Sequence, residues 1–121
     1  MRRPVRVLLA ESALTEDLIT PAMLIQIELA IASTRDDRGC LDLLEIEAKR
    51  MTLTAAEIDA AKRGASFDAI TNIAVKFALA DYADDAAGIT ATKEKLATFG
   101  VAAIAPHLHA LVQGLKLPVS I

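Results

Sequence analysis

The stretch from Thr20 to Ser33, TPAMLIQIELAIAS, most constrains how this chain can fold. Its first two residues are a helix start signal. Thr20 offers a side-chain oxygen to the free amides of a first turn, and Pro21 is preset for the first helical position. On a helical wheel only Gln26, Glu28 and Ser33 interrupt an otherwise apolar surface. A helix apolar on nearly every side has no face to offer water, so it belongs inside a core or an oligomer interface. The remaining elements must be arranged around it.

Composition says what those elements are. Hydrophobic residues make up 54% of the chain and aromatics only 3%, so Ala, Leu and Ile carry the apolar content. Ala and Leu are strong helix formers. At 121 residues the chain fits one domain, with 1–18 an N-terminal arm and 115–121 a C-terminal tail. More apolar surface is present than one modest core uses, which predicts a homo-oligomer.

Local signals divide the chain into about six helices. After the polar break TRDDRG, Asp36 or Asp37 can cap a helix from Gly39 to Met51. Thr54 and Glu57 have the capping-box spacing and start a short helix over Ala55 to Arg63, which Gly64 ends. Ser66 is placed to cap a helix from Phe67 to Ala83. DDAAGIT reads as a turn, with a helix from Thr90 to Gly100. The last helix contains Pro106, which predicts a kink or a restart there. VRVLL in the arm reads as a short helix or an extended segment, and no strand or repeat stands out.

Charge and cysteine content narrow the function. The net charge is −3 with acids and bases interleaved, so no basic stripe for nucleic acid is present. One cysteine forms no intrachain disulfide framework and fits a reducing, cytoplasmic setting. The apolar run at the start is too short for a signal-peptide core and carries Arg6, and no apolar stretch spans a membrane without interruption.

Three residues stand out chemically. Cys40, Leu44, Ala48 and Met51 form one apolar arc, flanked by Leu41 and Leu43, with Asp42, Glu45 and Lys49 opposite. Glu47 falls between Leu43, Leu44 and Met51, against that pattern. Glu28 is surrounded on its wheel by Leu24, Ile25, Ile31 and Ala32. A buried carboxylate is costly unless paired, and its pKa rises, which is one route to a general acid or base. Cys40 near a helix start has its thiolate favoured by the dipole and by Arg35 and Arg38, while Asp36, Asp37 and Asp42 oppose it. The plainer reading makes Cys40 a small packing residue and the two acids boundary or ion-pair groups. His107 and His109 are two apart and point to different sides of a helix, so they form no helical metal pair. No metal or cofactor is expected.

The segments ELAIAS, GCLD, Ala48 and LTAAEIDAAKRGASFDAITNIAVKFALA resemble the alkyl hydroperoxidase D / carboxymuconolactone decarboxylase superfamily, over roughly Ile25 to Gly100. The resemblance implies an all-α, AhpD-like fold assembled as a dimer, trimer or hexamer. It also implies peroxiredoxin-type peroxidase or carboxymuconolactone decarboxylase activity. In the peroxidase branch a Cys-x-x-Cys opens a helix, a His follows the second Cys by one turn, and a Glu lies on the preceding helix. A register without gaps, anchored on LTAAEI, puts Cys40 on the second Cys, Asp37 on the first, Leu44 on the His and Ile25 on the Glu, with Glu28 one turn later. A second register puts Glu28 on the Glu, Cys40 on the first Cys, Leu43 on the second and Glu47 on the His, and needs a deletion before LTAAEI.

Both registers lack one Cys and the His. The dithiol cycle needs a resolving thiol and a base that holds the attacking thiol as thiolate. The decarboxylase branch relies on a His in the same helix, also replaced here. The expectation is therefore a structural or small-molecule-binding oligomer that has lost the dithiol chemistry. The alternative is a one-cysteine thiol peroxidase, or a Glu-dependent decarboxylase-like enzyme, using Cys40 with Glu28 and Glu47. A redox sensor with intersubunit disulfides through Cys40 ranks last, because it requires an exposed thiol.

Overall fold

A computed structural model describes residues 19–116. Among them are six α-helices and one short 3₁₀ turn, and no strand. The helices are α1 (Pro21–Thr34), α2 (Arg38–Arg50), α3 (Ala55–Lys62), α4 (Ala69–Tyr82), α5 (Ala86–Thr98) and α6 (Ala105–Lys116). The readings made for the 1–18 arm and for the end of the tail lie outside the described residues.

The all-round apolar character of α1 has a direct structural cause. The helix packs against α2, α3 and α4 at once. Met23, Ile27, Ala30 and Ile31 enter one core cluster with Ala74, Phe77 and Ala78 of α4, Leu96 of α5 and Leu108 and Val112 of α6. Ile25, Leu29 and Ala32 enter a second cluster with Leu41 and Ala48 of α2 and Ile58 and Ala61 of α3. Helix α1 is thus the shared wall of two cores. Buried alanines (Ala30, Ala32, Ala48, Ala61, Ala74 and Ala78) supply much of both clusters, and Phe77 is the one aromatic buried completely among the described residues.

The helix ends follow one repeated device. Asp36, Thr52, Gly64, Asp84 and Gly100 all have positive φ just past a helix. In each case the next amide reaches back to a carbonyl in the last turn, as with Ala65 to Ala60 at 2.9 Å, Asp85 to Ala80 at 2.8 Å and Val101 to Leu96 at 2.9 Å. This satisfies carbonyls that the helix leaves free. At Gly64 the device is also steric, since a Cβ there would lie 2.8 Å from Cδ1 of Leu79.

Most starts agree with the sequence reading. Thr20 caps α1, Asp37 caps α2, and the Thr54–Glu57 capping box of α3 is complete in both directions. Two starts need correction. Asp68 rather than Ser66 caps α4, and Ser66 accepts a hydrogen bond from the Asp68 amide instead. Helix α5 begins at Ala86, not Thr90, because Asp85 caps it through the Gly88 amide. At Pro106 the chain restarts: a 3₁₀ turn over Ala102–Ile104 leads into α6, and Pro106 occupies the first turn of α6, where its missing N–H costs no helix bond.

Candidate functional site

Cys40 lies in the first turn of α2, where the Asp37 carboxylate accepts a hydrogen bond from its backbone N–H at 3.1 Å. Asp37 is in turn 3.5 Å from the Arg35 guanidinium. Helix α1 brings Glu28 to the same place. Glu28, Arg35 and Cys40 line one cavity of about 200 Å³, whose other walls are Ile31, Ala32, Leu44 and Leu115. Two of the three candidate residues therefore converge, together with an arginine.

Glu47 does not join them. Its side chain is 53% exposed and lies 3.6 Å from Arg50 on the outside of α2. The expectation of an acid on the buried face is corrected here. The buried arc of α2 is centred on Leu41 and Ala48, and Leu43, taken as a flank of that arc, is 70% exposed. Glu47 is one turn from Leu43 and shares its outward side. Glu45 is not fully solvated either. It receives a 2.7 Å hydrogen bond from Lys62, which ties α2 to α3 and pushes the Lys62 ammonium pKa up.

The electrostatics of the cavity favour protonated groups. Burial pushes the Cys40 thiol above its ordinary 9.0; the Asp37 and Glu28 charges push the same way, and Arg35 opposes them. Burial alone raises the Glu28 carboxyl above 4.5. Among the described residues the Glu28 carboxylate makes no ion pair with Arg35 or any other cation. A thiol attacks as its thiolate, so this environment suppresses the reactive form. The helix dipole, which favours a thiolate at a helix start, is here met by the Asp37 carboxylate instead.

The sequence reading passed over one pair. Asp81 of α4 is buried, and its carboxylate is 2.8 Å from Nδ1 of His109 on α6. The signal was present in the sequence, because Ile73, Ala74, Phe77, Ala78 and Asp81 follow one helical stripe. His107, two residues away, is exposed. Among the described residues no group of three or more His, Cys, Asp or Glu side chains could hold a metal ion, and no helix is long and apolar enough to cross a membrane.

Comparison with protein-family models, with curated proteins and with solved structures gives no match to this chain.

Proposed function

We propose that this chain is a homo-oligomeric, AhpD-like protein that has lost dithiol peroxidase chemistry and binds a small molecule in the Glu28–Arg35–Cys40 cavity. The observation that carries the reading is the Asp37 carboxylate on the Cys40 amide. In the register without gaps, Asp37 occupies the position of the first Cys, the thiol that would pair with Cys40. It is an acid that opposes ionisation of the remaining thiol. Leu44, at the position of the family histidine, adds an apolar wall where a base is needed. The exposed apolar side chains of Leu43, Ile46, Phe67 and Phe99 support the oligomer part of the reading.

A second reading, a one-cysteine thiol peroxidase, draws on the convergence of Glu28 and Arg35 on Cys40. In that chemistry the thiolate attacks the peroxide oxygen, an alcohol leaves, and the sulfenic acid formed is reduced by external thiol. Glu47 has no place in it, given its position outside the cavity.

Titration of the thiolate absorbance of the wild type against Cys40→Ser separates the two. The first reading expects ionisation only above the ordinary 9.0 of a thiol, and a lower value in Asp37→Asn, which keeps the cap and removes the charge. A thiolate present at neutral pH would defeat it.

A further inference from the structure

A second cavity, of about 500 Å³, lies between α4, α5 and the start of α6, away from Cys40. It falls within the range of roughly 300–1,000 Å³ common for small-molecule sites. Phe77, Ile89, Ala102 and Ala105 give it apolar walls. The polar groups that line it are Lys93 and His109.

Those two groups are available to a ligand in a specific way. The Lys93 ammonium makes no ion pair or hydrogen bond among the described residues. The Asp81 carboxylate, with its side chain only 6% exposed, is 2.8 Å from Nδ1 of His109. A buried carboxylate there fixes the ring with its proton on Nδ1, so Nε2 is the nitrogen left for a ligand. A ligand carboxylate accepts from Nε2 when that nitrogen also carries a proton, and Asp81 behind the ring then matches the ring's charge. The cavity offers the Lys93 ammonium and Nε2 of His109 to an otherwise apolar space.

We propose that this cavity binds a small organic monocarboxylate, with its apolar body against Phe77, Ile89, Ala102 and Ala105 and its carboxylate between Lys93 and His109. An apolar amine would meet like charge, and an uncharged apolar alcohol would gain the walls but not the charge-assisted hydrogen bonds. The inference is independent of whether the Cys40 site turns over peroxide.

The test is calorimetric titration of the full-length protein with octanoate, octanol and octylamine, with methyl-labelled protein reporting the location by NMR. Octanoate is expected to bind at least about ten-fold more tightly than octanol, and octylamine not at all. Shifts are expected at the methyls of Ile89, Ala102 and Ala105 and not at Ile31 or Ala32. Lys93→Met, on an exposed side chain, is expected to weaken octanoate about ten-fold and leave octanol unchanged. His109→Gln should act in the same direction but removes the partner of Asp81, so Lys93→Met is the deciding variant. Equal binding of octanol and octanoate, binding of octylamine, no binding of octanoate, or octanoate binding unaffected by Lys93→Met would each overturn the proposal.

Discussion

At the scale of single residues, Glu28 carries a stability-versus-pH sign. Its folded-state carboxyl titrates above the ordinary 4.5 because burial penalises the charge. The folded protein therefore holds this proton more tightly than the unfolded chain. The group contributes most to stability below about 4.5 and loses that contribution as the pH rises through the raised folded value. Glu28→Gln removes the titration. The variant is expected to melt at a higher temperature than the wild type at neutral pH, by up to about 4 °C for a gain below about 1 kcal/mol, with the gap closing in acid. Thermal melts across that pH range check it. Cys40 has the same sign at the alkaline end, where stability is lost as the pH rises through a thiol value above 9.0. For both residues the sequence placed a polar group on an apolar wheel. It left the sign of the thiol shift open, because Arg35, Arg38, Asp36, Asp37 and Asp42 oppose one another at similar sequence distances. In the fold, burial of the thiol and then the Asp37 charge beside it outweigh Arg35 and push the thiol up.

At the scale of elements, the helix ends hold both strain and legibility. Thr52 is β-branched and exposed, yet has φ of 67°. Left-handed backbone costs such a residue on the order of 1–2 kcal/mol, partly offset in any glycine replacement by the greater freedom of the unfolded chain. Thr52→Gly is therefore expected to stabilise by up to about 1 kcal/mol, read as a higher denaturant midpoint with unchanged slope. A destabilised variant would show that the turn is held by side-chain contacts. Starts marked by an oxygen-bearing cap and a partner three residues on, as at Thr54 and Glu57, were legible from sequence alone. The start of α5 was not, because Gly88 in its first turn reads as a turn residue. Its role is spatial: a Cβ there would run into the capping Asp85 carboxylate and lie 3.0 Å from the Ala80 Cβ on α4. The same limit hid the Asp81–His109 pair. One partner was visible on its stripe, but the other belongs to α6, and only the packing of α6 on α4 brings them together.

At the scale of the whole molecule, α1 organises the helices around it, as its apolar surface implies. The Lys93–His109 cavity lies beside the core that α1 shares with α4, and the Cys40 cavity takes walls from both of the cores that α1 divides, Ile31 from one and Ala32 and Leu44 from the other. The division itself was not in the sequence, since periodicity shows that α1 is buried but not by which helices. The outer face of α2, with Leu43 and Ile46 exposed one turn apart, is the surface proposed for the oligomer contact. A Leu43→Glu, Ile46→Lys double variant is expected to sediment at a lower mass than the wild type while keeping its helical signal. An unchanged mass would place the contact elsewhere. The proposed loss of thiol peroxidase chemistry at Cys40 is tested by hydroperoxide consumption by the assembled protein. With an alkyl hydroperoxide and a series of thiol reductants, the account predicts the same background rate for the wild type and Cys40→Ser. Turnover by the wild type that Cys40→Ser abolishes would contradict it.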